Sequence, residues 1–580
     1  SFLELNIWKG LKLKTSLSLN QSMSFSETYT PTFLTSDNNG YGGESTSRSF
    51  TTVFDNTLSY AGNINDIHAL DAVVGISFER TKDRGFGLYV SNYPMDEILT
   101  GITNATEFES KNGSGTVYGL QSSFARINYR LLDKYLFTFT ARYDGSSSFG
   151  SNNRFGFFPS GAIAWRISDE SFMKNLKFLD DMKIKFSVGK TGVQNFDRGS
   201  YANKDLYSTS SYLGNPAIVH SQLGNRDIKW ETTVQYDLGI DFSIFRSALS
   251  GSIAYYVKNT DDLIWTYTPP SSLAVADIPR NIGAVRNRGI EISLRANLLR
   301  GQKDWNWELG LNMAHNRNKV TKLEKDGGIA TGMDVTVQGS GNQVLVEGYA
   351  MGVFLGYEYD GIIQNQETID ELNAKAVAAG KSTYNGSGLL PGHLLIRDVD
   401  NSGYIDNYDR VVIGSPEADL TGGLTSTLTW KRLSLYTHFG FQIGGKKLFN
   451  KTLQNLPNQL SGLIDYNLYN RWSVDNPDAK LPAMYIGDSS ASLTDHQLHN
   501  ASNLRLQELR LSYDIPRLWN GKYLKSGEIY FTASNLFVIT KYPGLDPSTI
   551  GSASSNYGSN YEGWSYPSSR TFSFGVKLNF

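Results

Sequence analysis

The chain has 580 residues, with 54 Lys and Arg against 56 Asp and Glu and a formal net charge of -2, so no basic excess points to nucleic acid. The absence of cysteine excludes a disulfide framework and any thiolate metal site. Tyr, Phe and Gly are abundant (33, 30 and 56), yet mean hydropathy is negative and no stretch approaches the ~20 apolar residues of a membrane-crossing helix. A transmembrane β-barrel survives this filter, because half of its strand positions face a polar lumen and dilute the hydropathy.

The sequence opens at Ser1 without an initiator methionine or leader and is strand-like by Leu3, as expected of a processed or partial product whose export signal lay upstream. Alternation then dominates. In "LKLKTSLSLNQS", Leu11, Leu13, Leu17 and Leu19 share one face, and Lys12, Lys14, Ser16, Ser18 and Asn20 share the other. "DKYLFTFTARYDG" aligns Tyr135, Phe137, Phe139, Ala141 and Tyr143; "TTVQYDLGIDF" aligns Val234, Tyr236, Leu238, Ile240 and Phe242. There are about 18 such segments, each of the ~9–11 residues that cross a bilayer at a tilt. Connections alternate between short turns, as at Lys9-Gly10 or Leu298-Asp304, and long polar excursions such as Asn195-Ile228. That asymmetry belongs to outer-membrane barrels, with tight periplasmic turns and long external loops. A soluble sandwich would alternate too, but it is far shorter than this chain, and no repeat or Pro-rich linker divides the sequence.

One helix is expected. "TIDELNAKAVAAG" spaces Thr368 and Glu371 as a capping box and stops at Gly380. Just beyond it, "RDVDNSGYIDNYDRVVIG" places oxygen-bearing groups at the ligand positions of a twelve-residue calcium loop. Asp398, Asp400, Ser402, Asp406 and Asp409 supply side chains, Tyr404 its carbonyl, and Gly403 the sharp turn. No flanking helices make it a helix-loop-helix sensor, so the expectation is one structural Ca²⁺ of weak affinity. Residues 357–414 then form a single folded extracellular loop, large enough to suggest function.

No catalytic set emerges, and the chain is not expected to be an enzyme. His496 and His499 form an H-x-x-H in a polar loop, and "YDGSSSFG" carries neither a nucleophile elbow nor an ordered His and Asp. Ligand contact falls instead to loop aromatics, whose flat rings with a polar edge suit sugars or peptides: Trp265, Tyr267, Tyr466, Tyr469, Trp472, Tyr561, Trp564 and Tyr566. Barrels also place Trp and Tyr in interfacial girdles, which competes with that role at every one of these positions. The chain closes on "RTFSFGVKLNF", in which Phe572, Phe574, Val576, Leu578 and Phe580 alternate with polar residues or glycine. Such a strand would be an aggregation-prone edge in water but suits the last strand of a barrel in lipid.

Several stretches go beyond generic alternation. "RYDGSSSFGSNNRFGFFPSGAIAWRISDESF", "GNRDIKWETTVQYDLGIDF", "NIGAVRNRGIEISL", "GYEYDGIIQNQE", the calcium-type stretch, "NLRLQELRLSYDIP" and "NLFVITKYPGLDP" resemble, in order, the SusC/RagA-like TonB-dependent outer-membrane transporters of Bacteroidota. The resemblance implies an all-β, antiparallel transmembrane barrel of about 22 strands, of which residues 1–580 would hold the C-terminal part, with the plug outside this chain. It also implies an outer-membrane location, lipid around the barrel, energy from TonB through a plug and TonB box carried elsewhere, and a SusD-like lipoprotein lid on the long loops, especially 357–414 and 454–503. The function implied is import of a nutrient oligomer, an oligosaccharide or oligopeptide; the alternative is a structural platform for surface lipoprotein assembly without transport.

Overall fold

The computed structural model describes residues 1–579 except 66, 96–97, 194–200, 268–277, 325–330, 332, 334, 339–342, 387, 450–469, 484, 486–492, 517–524 and 549–567. The chain divides into two compact units. One comprises Ser1–Arg166, Lys185–Tyr236 and Thr260–Ile282; the other comprises Ile167–Ile184, Asp237–Asn259 and Gly283–Phe580.

The first unit is built on a meander. Strands β1 (Phe2–Trp8), β2 (Leu11–Thr30), β3 (Tyr41–Ile64), β4 (His68–Ser91), β5 (Glu107–Leu131), β6 (Tyr135–Ser146) and β7 (Phe155–Arg166) each pair antiparallel with the next. Tight turns join β1 to β2, β3 to β4 and β5 to β6, whereas the connections at the opposite end run through residues 31–40, 92–106 and 147–154. Gly10 makes the first turn with φ +80, a conformation that favours glycine. β9 (Leu206–Tyr212) and β10 (Asn215–Gln222) form a separate hairpin in this unit, whereas β8 (Leu179–Val193), β11 (Glu231–Ile244), β12 (Leu249–Tyr267) and β13 (Ile278–Gln302), all strands of the principal sheet, each have residues in both units.

Two faces follow from the alternation. On β4, Val74, Ile76 and Phe78 stand 53%, 43% and 42% exposed on one face, with Val73, Gly75 and Ser77 on the other. Large apolar side chains held open on one face of a sheet fit lipid, which needs no core to cover them. The "SSSFG" turn is structural, as its sequence implied. Phe149 is fully buried against Trp230, with ring centroids 4.5 Å apart, and a Cβ on Gly150 would lie 1.7 Å from the Arg226 carbonyl.

In the second unit, β13 pairs with β14 (Trp305–Leu323) across a turn in which Lys303 and Asp304 both take positive φ (51 and 69), the geometry that matches strand twist in a two-residue hairpin. The chain then leaves the wall for a folded excursion. It contains β15 (Val337–Gln338), β16 (Gln343–Val346), β17 (Val353–Gly356), β18 (Tyr359–Ile362), α1 (Gln366–Ala378), β19 (Leu394–Ile396) and β20 (Val411–Gly414). The wall resumes with β21 (Ala418–Trp430) and β22 (Leu433–Gly444). After the small pair β23 (Lys446–Leu448) and β24 (Leu498–Asn500), it ends with β25 (Asn503–Ile515), β26 (Ser526–Thr540) and β27 (Thr571–Asn579). Here β14, β21, β22, β25, β26 and β27 pair antiparallel in that order, and Trp305 stacks on Trp430 at 5.7 Å beside two short turns.

The principal sheet has 17 strands among the described residues, against the about 18 read from alternation. β27 carries the terminal alternation, with Phe572 and Phe574 61% and 72% exposed, and Phe580 lies outside the described residues. The folded excursion is wider than 357–414, since β15 to β17 already belong to it. The helix also starts earlier than its expected cap. Asn365, not Thr368, is the N-cap: its side chain accepts the Thr368 amide at 3.0 Å and the Thr368 hydroxyl at 2.9 Å. Gly380, with φ +79, ends the helix as expected.

Candidate functional site

Among the described residues, three small apolar cores hold the excursion. Val344, Val346, Val353 and Leu355 form one; Phe354 packs with Leu448 and Leu498; and Ile363, Ile369 and Ala376 of the helix region pack with Tyr384 and Leu389. Tyr404 and Ile405, in the middle of the acidic loop, dock on the third. The loop therefore rests on the helix, and a Cβ on Gly403 (φ +89) would lie 3.3 Å from the Lys375 carbonyl. Arg397 anchors its entry by binding Asp360 and Glu358.

Within the loop, carboxylate oxygens of Asp398, Asp400 and Asp409 lie within 4.8 Å of one another. That is the separation of ligands across a cation held at 2.3–2.6 Å. Backbone amides orient each of them. Asp398 accepts from Ser402 (3.0 Å) and Gly403 (2.7 Å), and Asp400 accepts from Ser402 (2.9 Å). Asp409 is fully buried and accepts from Val399 and Asp406, both at 2.8 Å. Burial pushes its carboxyl above the usual range against those two bonds, and Asp400 and Asp398 push the same way. Tyr384, whose hydroxyl donates to the Ile396 carbonyl at 2.9 Å, is pushed up to about 12 by burial and by the nearby Asp398, Asp409 and Asp360. The cleft is thus strongly negative.

The remaining expected ligands stand differently. The Ser402 hydroxyl donates to the Tyr404 carbonyl at 2.9 Å, so these two expected ligands touch each other. Asp406 lies outside the converging trio; it caps the short turn Asn407–Asp409 by accepting the Tyr408 amide at 2.6 Å. Three carboxylates meet, two neutral oxygens adjoin one another, and the fourth carboxylate is engaged as a cap. An all-oxygen set of this kind fits a hard cation such as Ca²⁺.

Of the expected ligand-contacting aromatics, Trp265 is half-buried on β12 and the Tyr267 side chain lies outside the described residues. Tyr466, Tyr469, Tyr561, Trp564 and Tyr566 also lie outside them. Trp472 is 8% exposed, and its indole donates to Gln364 at 2.9 Å, so it packs as a support. The sequence missed a cavity of about 940 Å³ lined by Tyr359, Ile362, Gln364, Phe449, Asn470, Asp478, Lys480, Leu481, His496 and His499. The His496 ring stands edge-on to Tyr359 at 5.0 Å, and its Nε2 meets the Lys480 carbonyl at 2.8 Å. Burial, then His496 and Lys446, lower the His499 pKa. The H-x-x-H spacing and "GYEYDGIIQ" were the only local signals for this wall.

Beside the cavity, the strap after β26 is pinned by buried charge. Asp546 binds Arg505, Ser548 accepts and donates within the same knot, and the Lys447 ammonium donates to the Pro547 carbonyl at 3.0 Å.

A family model described as TonB dependent receptor-like, beta-barrel matches residues 3–411. TonB-dependent receptor P3 of Formosa agariphila is 30% identical over 594 residues, covering 98% of this chain and 56% of that protein. TonB-dependent receptor SusC of Bacteroides thetaiotaomicron is 29% identical over 561 residues, covering 93% and 51%. The solved RagAB peptide transporter superposes over 100% of this chain and 61% of its own, with a TM-score of 0.82 at 25% identity. The chain spans about half the length of the curated relatives it matches.

Proposed function

We propose, from the premise that this chain belongs to the TonB dependent receptor-like β-barrel family of the outer membrane, that it forms the wall and outer loops of an importer for a nutrient oligomer. The importer works with a SusD-like surface lipoprotein and draws its energy through TonB. The observation that carries this reading is the likeness of the whole chain, strand wall and excursion together, to a peptide transporter. An oligopeptide is the better supported cargo. The cavity sets Asp478 and Lys480 beside Tyr359, Phe449 and Leu481, which suits a chain with charged ends and apolar side chains. The family's relatives are receptors rather than enzymes.

The test is purification of the complete protein from its native membranes in mild detergent, with mass spectrometry of co-purifying chains and eluted small molecules. A stoichiometric lipoprotein and a mixture of oligopeptides are expected. Oligosaccharides in their place would change the cargo. A lipoprotein with no oligomer, and no loss of uptake on gene deletion, would replace import with the platform role.

We also propose one Ca²⁺ held by Asp398, Asp400 and Asp409, with Ser402 and the Tyr404 carbonyl bordering it and Asp406 reaching it through water. Its role is structural. It neutralises converging carboxylates and fixes the loop on the helix. With a neutral Ser402, the affinity should be that of extracellular sites, about 10⁻⁴–10⁻³ M. Calorimetry of the full-length protein that gave no heat with Ca²⁺ up to tens of millimolar would remove the ion from the account.

A further inference from the structure

β3, β4 and β5 run for 24, 24 and 25 residues, whereas ~9–11 residues cross a bilayer at a tilt. The surplus lies at the end with the long connections, the external end of such a barrel. There the four strands β2 to β5 continue past the apolar band as a projecting sheet.

Strand register assigns its faces, because directly opposed residues share one. On β4 the lipid-facing series Val74, Ile76, Phe78 continues as Arg80, Lys82, Arg84, all exposed. Arg48 of β3 sits directly opposite Arg84, and Gly115 of β5 flanks Arg84 on the other side. A methyl group added at Gly115 would meet nothing within 4 Å, so the shelf beside the arginines is open. Four cations therefore occupy the three outward rows past Phe78, where they share the face with Leu19, Met23, Phe50 and Val117. Asp83 and Glu79 alternate to the opposite face, and the nearest outward acids, Glu27 and Glu44, lie two rows beyond Arg48 and Arg84. Among the described residues none of the four cations forms an ion pair; the Arg48 guanidinium donates to Gln21 at 3.2 Å. Opposed like charges destabilise a sheet unless an anion lies between them.

We propose that this outward face is a docking surface for an outer-leaflet lipid whose headgroup carries two phosphates, with its acyl chains lying along Val74, Ile76 and Phe78. Continuity with the lipid-facing series places the occupant in the membrane, and charge complementarity makes it anionic. Arg80 to Arg84 spans about 13 Å of strand, more than one phosphate can bridge, and arginine forks bind phosphate in two-pronged fashion. The Gly115 shelf leaves room for a bulky headgroup.

The experiment places the full-length protein in phosphatidylcholine nanodiscs and titrates diphosphoryl lipid A, monophosphoryl lipid A and phosphatidylglycerol, reading bound lipid by native mass spectrometry. Wild type should retain the diphosphoryl form about tenfold better than the monophosphoryl form. The quadruple variant R48Q/R80Q/K82Q/R84Q should lose that preference, while K12Q/K14Q on the other face keeps it. Should the quadruple variant fail to assemble, R84Q and K82Q singly should each weaken retention about fivefold. Equal retention of the two lipid A forms, equal retention of phosphatidylglycerol, or variants that bind as wild type would overturn the proposal.

Discussion

On β4, Val74, Ile76 and Phe78 are held 53%, 43% and 42% exposed, while in the excursion Val344, Val346 and Leu355 are at most 1% exposed. The two regions use the same residue types under opposite rules. The wall meets hydrocarbon, so apolar surface needs no cover and the backbone need only be paired by neighbouring strands. The excursion meets water, so it builds its own cores and must satisfy every polar group it hides, Asp409 among them. Solvent, rather than residue type, decides which positions carry stability.

The contrast breaks most sharply where a core is emptied. Phe354→Ala, at a fully buried position against Leu448 and Leu498, should cost the excursion about 3–5 kcal/mol. Amide exchange should accelerate across 343–356 and leave β4 unchanged; acceleration in both regions would mean the two are not separately stabilised. On the wall, Ile76→Arg on the lipid face should cost about 2–4 kcal/mol in folding titrations into vesicles. Ser18→Arg on the opposite face should cost much less, and equal costs would dissolve the distinction between the faces.

In the acidic loop, Ca²⁺ at 10 to 100 times its dissociation constant should protect amides 398–409 by about 1.4–2.7 kcal/mol. Asp400→Asn should remove most of that protection without changing α1. A smaller effect concerns Asp546. Burial alone would raise its pKa, but the Ser548 amide and hydroxyl and then Arg505 outweigh it and leave the pKa below the ordinary value. A depressed carboxyl contributes stability that is present above its unfolded pKa and lost as pH falls through the folded one. Protection of amides 541–548 relative to their intrinsic exchange rates should therefore be pH-independent near neutrality and fall only below pH 3.8, the ordinary value. The smallest effect is at the helix, where Asn365→Ala should cost about 1 kcal/mol by circular dichroism of thermal unfolding.

The wall was legible in sequence because lipid on one side imposes a period of two over many residues, as in Tyr135 to Tyr143. The excursion was legible only in part. The four-residue strands β16 and β17 are buried on both faces and so carry no alternation. Thr368 looked like a cap because its spacing to Glu371 is right, yet Asn365 starts the helix one turn earlier by accepting the Thr368 amide. The calcium spacing located the converging carboxylates, but spacing could not show that Asp406 turns to cap its own turn. The cavity was invisible because Tyr359, Phe449 and His499 meet only through tertiary packing, and the composition of single loops drew attention to other aromatics.

The meander of β1 to β7, in which each strand is paired with its sequence neighbours, has a mechanical consequence. A wall made this way resists load one hairpin at a time, so traction on the chain within this unit peels it in discrete steps instead of rupturing it at once. Among the hairpins closed by tight turns the longest is Tyr41–Ser91, whose release would lengthen the chain by on the order of 170 Å. Extraction of the protein from the membrane by force should follow a ladder of such steps, with spacings written in the strand lengths.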